Sequence, residues 1–219
     1  MAEITIKKVQ TKRDLDTFIQ LHYDLYRGNP YDAPNLYSDE IQTLSKDKNS
    51  AFEFCEAEYF LAYKDGKLAG RVAAIINHRY NKQWDRPAVR FGWLDLVNDA
   101  DVMRALLTAV EDYGRQKGMK EIIGPLGFTD MDPEGMLTKG FEELGTMATG
   151  YNHEYYPKLM ELMDGYEKDN DYVEYKVYVP KEGMPEKMKR VAELCMQRYN
   201  LHVKKPKRCS CSIPLVQSN

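Results

Sequence analysis

The chain lacks a long apolar run. No segment approaches the ~18 consecutive apolar residues that read as a membrane-crossing helix. Its opening, MAEITIKKV, has no apolar h-region. A cytoplasmic protein with no membrane partner is therefore expected. Cysteine is scarce: Cys55, Cys195, Cys209 and Cys211 are the 4 in 219 residues. Without a secretion signal they do not suggest a disulfide framework, and Cys55 and Cys195 read as reduced thiols. Cys209-Ser-Cys211 has no neighbouring Cys or His to complete the usual four ligands, so no metal is expected. Charge of either sign is not in excess. The 31 Lys and Arg against 34 Asp and Glu leave a formal net charge of -3, which gives no general attraction to nucleic acid. No internal repeat is visible. What the chain does have is 43% hydrophobic residues, enough for a core, and 16 tyrosines, side chains suited to pocket walls as well as interiors.

Alternation predicts a strand at Ile4–Val9. Thr11 reads as an N-cap, and Leu15, Phe18, Ile19, His22, Leu25 and Tyr26 recur at helical spacing up to Gly28-Asn29-Pro30. The stretch Tyr31–Lys46 reads as loop with one short helix near Ser38–Leu44. Two apolar runs, Tyr59–Tyr63 and Leu68–Ile76, flank Lys64-Asp65-Gly66-Lys67, a strong hairpin signal. A polar connection through Asn81, Trp84 and Pro87 leads to a strand at Val89–Val97. A helix over 100–117 follows, capped by Asp99 or Asp101 and ended by Gly118. Its apolar face is Val102, Met103, Leu106, Leu107, Val110, Tyr113 and Gly114. Glu121–Ile123 is a short strand. Residues 126–150 read as a long loop, then a helix from about His153 to Met163, a strand at Tyr172–Val179 and a last helix over about Pro185–Tyr199.

Three pieces in this order resemble the GNAT superfamily of acetyltransferases. The hairpin carries Gly66-Lys67-Leu68-Ala69-Gly70-Arg71-Val72. The strand-to-helix unit from Phe91 to Gly118 carries Leu106-Leu107 and ends in Lys117-Gly118. The late segment runs from Tyr155-Tyr156-Pro157 to Gly165-Tyr166. Gly124-Pro125 and Lys139-Gly140-Phe141 are similar to a branch of uncharacterised bacterial proteins longer than this chain. The resemblance covers roughly residues 3–179. It implies an α/β (α+β) GNAT-like fold: a central, mixed, mostly antiparallel twisted sheet flanked by helices. Residues 1–180 would form that domain. Residues 181–219 would be a C-terminal helix and polar tail, either a frayed end or the start of a further domain.

The resemblance also implies acetyl-CoA as cosubstrate, its pyrophosphate gripped by amides at the start of the central helix, where N–H groups lack partners. The matching segment includes Asn98, Asp99, Ala100 and Arg104. It lacks the family's glycines and puts Asp99 and Asp101 where phosphate charge would sit, which weakens such a grip. Asp99 is equally explained as a helix cap, and Arg104 either compensates that charge or is an exposed helix residue. For catalysis the resemblance implies a base, and Asp95, on a strand face shared with Trp93 and Val97, suits that role with a pKa raised by burial; the alternative is a structural, hydrogen-bonded Asp. Leu96 or Val97 N–H would be the oxyanion donor, and Tyr155 or Tyr156 the acid. His153, close by, reads as a surface or capping residue. Asp130, Asp132 and Glu134 are either a polar loop or a recognition site for a cationic acceptor. They do not form a calcium loop, because position twelve from Asp130 is Phe141. The expected function is acyl-CoA-dependent N-acyl transfer, an N-acetyltransferase acting on a small amine. The alternative is a GNAT-fold domain that has lost catalysis and binds a ligand or partner. A homo-oligomer is compatible with either.

Overall fold

The structure is a computed structural model that describes residues 3–146, 149–178 and 181–202. The chain divides into two compact units, Met1–Asp171 and Tyr172–Asn219.

In the first unit, β1 (Ile4–Lys8) leads into α1 (Lys12–Leu25), whose start is fixed by a capping box between Thr11 and Asp14. After α2 (Tyr37–Leu44) and a short 3-10 turn at Ser50–Glu53, β2 (Cys55–Lys64) and β3 (Lys67–Asn77) form the hairpin that Asp65-Gly66 encodes. Both turn residues have positive φ, 48° and 77°, as a primed hairpin turn requires. The polar connection contains a helix the sequence pattern did not suggest, α3 (His78–Trp84), capped by Asn77 and ended by Asp85 in the left-handed region. Then come β4 (Ala88–Leu96), α4 (Ala100–Gln116) and β5 (Glu121–Ile123). The late helix is shorter than expected: α5 covers Tyr155–Met160.

The five strands lie in the order β1-β2-β3-β4-β5. The first four are antiparallel, and β5 joins β4 in parallel through the α4 crossover. This is the mixed, mostly antiparallel sheet flanked by helices that the GNAT resemblance implied. Because β3 is central, both its faces are apolar. Val72, Ala74 and Ile76 face the core built with Val102, Met103, Leu106 and Val110 of α4. Ala73 and Ile75 face the core built with Phe18 and Ile19 of α1 and Leu44.

A bulge in β4 sets up the site. The β3–β4 register jumps from Ala73↔Gly92 to Arg71↔Asp95, and Trp93 sits at φ 47°. Such an extra residue reverses which parity faces which side. Val89 and Phe91 face the α4 core before the bulge, and Leu94 and Leu96 after it. Trp93 is thereby sent to the α1 side, where it packs against the other core.

In the second unit, α6 (Glu186–Arg198) lies inside the expected helix. The strand expected at Tyr172–Val179 is not formed over the described residues 172–178. Alternation supplies a strand-like face but no ladder partner, and an unpaired strand leaves its backbone groups to water. Val179 and the Cys209-Ser-Cys211 tail lie outside the described residues.

Candidate functional site

Asp95 is 5% exposed and both its oxygens are engaged. Oδ2 accepts from Arg71 Nε at 2.8 Å and Arg71 Nη2 at 2.7 Å and lies 3.1 Å from His22 Nδ1. Oδ1 accepts from the Tyr156 hydroxyl at 3.2 Å. Burial on its own would raise this carboxyl, as the sequence led us to expect. The Arg71 and His22 charges outweigh burial and hold it well below the usual carboxylate range. The direction is therefore the reverse of the one expected from the strand alone. Val97 also departs from expectation, packing with the α4-side core instead of sharing a face with Asp95.

Next to it, the expected oxyanion donors are occupied. Leu96 N–H donates to Tyr156 Oη at 3.0 Å, and Val97 N–H to the Ala69 carbonyl at 2.9 Å. The Tyr155 hydroxyl donates to the Leu96 carbonyl at 2.7 Å, and the Tyr26 hydroxyl to Tyr156 Oη at 3.0 Å. Both residues of the adjacent pair thus reach β4. Burial, followed by the Asp95 charge, pushes Tyr155 up to about 12 and Tyr156 higher than its ordinary value, which makes each a weaker acid than a free tyrosine.

At the start of α4 the expected phosphate-binding amides are capped. Asp99 is the N-cap, its carboxylate accepting from Asp101 N–H at 3.0 Å and Val102 N–H at 3.2 Å. Its other oxygen is ion-paired with Lys64. Asn98 and Ala100 flank this cap. Arg104 donates to the Leu162 carbonyl at 3.0 Å. The amides that would cradle phosphate already hold an anion supplied by the chain itself.

A cavity of about 130 Å³ lies on the other side of Asp95, within the first unit. Its polar wall comes from His22, Asp32, Glu40, Arg71, Asp95 and Tyr156. This is well below the ~300–1,000 Å³ of a pocket for a drug-sized ligand, so it suits a head group. Glu40, 7% exposed, is held by Asn35 Nδ2 at 2.8 Å and by Trp93 Nε1 at 2.8 Å, the indole that the bulge aims inward. Asp32 is different. Its side chain is 7% exposed, and among the described residues its one ion-pair contact is His22 Nε2 at 3.4 Å.

His22 therefore stands between two carboxylates. It lies in the last turn of α1, at the negative end of the helix dipole. Burial lowers its pKa, but the Asp95 charge and hydrogen bonds to Asp32 and Asp95 outweigh burial and raise it to about 9.

Sequence reasoning placed His22 only on a helix face and missed Asp32, Glu40 and Arg71. Arg71 and Asp95, each a charge inside an apolar strand run, were the available signal. Asp32 and Glu40 offered none. The acidic loop residues Asp130, Asp132 and Glu134 do not line the cavity; Asp132 closes a turn by accepting from Thr129 N–H at 2.9 Å. His153 stacks on Tyr26 at 4.5 Å, and Asn152 pins the long loop by accepting from Leu137 N–H at 2.6 Å. Among the described residues, no group of three His, Cys, Asp or Glu side chains could share a metal ion.

No protein-family profile matches the chain. It is 28% identical over 177 residues to the bacterial ceramide synthase of Caulobacter vibrioides, covering 80% of this chain and 46% of that protein. It is 26% identical over 166 residues to Protein YghO of Escherichia coli K12, covering 76% of this chain and 42% of that one. The chain thus spans less than half the length of these relatives. Solved structures that resemble it are acetyltransferases of the GNAT type. They include an aminoglycoside acetyltransferase in complex with a CoA bisubstrate analogue, at TM-score 0.48 and 19% identity, covering 80% of this chain and 99% of that one. An acetyltransferase of Trypanosoma brucei has TM-score 0.45 and 13% identity, covering 80% and 100%.

Proposed function

We propose that this chain is the acceptor-binding part of an acyl-CoA-dependent N-acyltransferase, and that its own ligand is the ammonium head of an amine. The observation that carries this reading is Asp32, a carboxylate on the cavity wall whose side chain is 7% exposed and whose one ion-pair contact among the described residues is His22 Nε2 at 3.4 Å. A buried anion of that kind calls for a cation. A compact ammonium fits a cavity of about 130 Å³, with any tail outside it. The similarity to a protein named as a ceramide synthase supports the chemistry, since a ceramide is an amide formed on an amine nitrogen. In this reading Asp95, Tyr155 and Tyr156 hold the wall in shape, and the acyl donor's phosphates are gripped by another part of the protein.

A second reading, a domain without catalysis that only binds its ligand, is favoured by the closed start of α4. Calorimetric titration tests the first and bears on the second. Propylamine should bind saturably to the wild type and not to Asp32→Asn. Acetyl-CoA, 3′-dephospho-CoA and pantetheine should bind equally weakly. Tight acetyl-CoA binding that depends on its phosphates would restore the α4 grip. Absence of amine binding would remove the acceptor reading and leave only the second.

A further inference from the structure

The cavity holds a charge arrangement that an ammonium would upset. His22 contacts Asp95 through Nδ1 at 3.1 Å and Asp32 through Nε2 at 3.4 Å. The Asp95 side cannot be exchanged, because Arg71 and Tyr156 fill the rest of that carboxylate. The Asp32 side can. The groups facing the imidazole come from every neighbouring element: Tyr23 of α1, Tyr26 just after it, Arg71 of β3, Asp95 of β4 and Asp32 of the loop after α1. Glu40 of α2 and Tyr156 of α5 share the cavity wall, and His153 stacks behind Tyr26. Arg71 opposes the imidazolium charge and the carboxylates support it. Among the groups that hold the proton on His22, the Asp95 charge comes first and the Asp32 hydrogen bond second, and only the second can be given up to a ligand.

An ammonium is a compact charge with several donors. Seated on Asp32, it takes over that carboxylate and places a second cation beside the ring, and like charges at such range disfavour one another. We propose that binding a primary ammonium at Asp32 drives a proton off His22 into solvent, leaving a neutral imidazole whose Nε2 faces the bound nitrogen. This rests on the amine reading of the cavity. Asp95 keeps the remaining proton on Nδ1 and so selects the tautomer with a free Nε2 lone pair. In the complex with amine alone the ring stays neutral; when the nitrogen goes on to react, that lone pair takes one proton from it. One N–H bond breaks, one forms on Nε2, and the products are a free amine with an unshared electron pair and an imidazolium. His22 is thus the proton acceptor, and Asp95 and Arg71 are positioning residues.

The test is calorimetry of propylamine binding to the full chain near neutral pH, in buffers of different ionisation enthalpy, which counts protons released. The expected result is close to one proton per amine for the wild type. Release per bound amine should be close to none for His22→Gln. The His22 ring signals in NMR should move from the charged to the neutral position on saturation. Amine binding with no proton release, or with His22 still charged, overturns the proposal while leaving the amine cavity standing. Proton release that survives Asp32→Asn places the ammonium elsewhere and also overturns it. If the wild type binds no amine, both readings fall.

Discussion

The Asp95 carboxylate accepts from Arg71 Nε and Nη2 and from Tyr156 Oη, and contacts His22 Nδ1. Removing its charge leaves Arg71 as an uncompensated cation in the interior and His22 with Asp32 alone, and breaking one partner of a buried pair typically costs about 3–5 kcal/mol. Asp95→Asn, nearly isosteric, should lose stability of that order in urea denaturation. A loss within about 0.5 kcal/mol, as at an ordinary surface site, would mean the cluster is not closed as described. His22 gives a pH signature. Its folded value of about 9 lies above the usual value for an unfolded chain. The folded chain therefore binds more protons in that window, and its stability is fully present at lower pH and falls as pH rises through about 9. The expected loss is on the order of 1–3 kcal/mol, and it should be much smaller in His22→Gln. Parallel pH profiles for the two proteins would contradict it. At this scale the sequence disclosed only oddities. Arg71 and Asp95 stand out as charges in apolar strands. That they meet follows from the bulge in β4, a feature of register that no local pattern encodes.

At the scale of elements, α4 shows one residue deciding between two uses of a helix start. Asp99→Ala should cost about 1 kcal/mol of stability and release the Asp101 and Val102 amides. Acetyl-CoA should then bind more tightly than to the wild type, and unchanged affinity would mean the cap is not what excludes phosphate. Gly92 tests the join between β4 and the loop after β5. A Cβ there would lie 2.5 Å from the Leu126 carbonyl oxygen. Gly92→Ala should therefore destabilise by roughly 1–3 kcal/mol, as overpacking does, read as a lowered melting temperature. The hairpin, α4 and β5 were legible in the sequence because their signals are local: a turn dipeptide, a 3.6-residue period, a capping Asp and a closing Gly. The failures are of two other kinds. α3 is a single capped helix of 7 residues hidden in polar sequence. The strand expected at Tyr172–Val179 had the right alternation, but a strand exists only where a partner does.

On the scale of the whole molecule, the cavity draws its wall from α1, the loop after it, α2, β3, β4 and α5. The residues that matter, from His22 to Tyr156, are far apart in the chain, so no motif spacing could have assembled them. The resemblance to a known fold supplied the architecture and pointed to the neighbourhood of Asp95. At the two places it pointed to, Asp99 caps the α4 amides and pairs with Lys64, and Asp95 is paired with Arg71 and His22. The cavity is acidic and partly aromatic-lined, in a chain that spans less than half of the curated relatives it matches. A crystal structure grown with propylamine and acetyl-CoA together puts the two uses of the fold in direct competition. The amine nitrogen should lie within hydrogen-bonding distance of Asp32, about 2.7–3.2 Å, with the Asp101 and Val102 amides still bonded to Asp99. A CoA phosphate on those amides, with Asp99 swung aside and the cavity empty of amine, would contradict it.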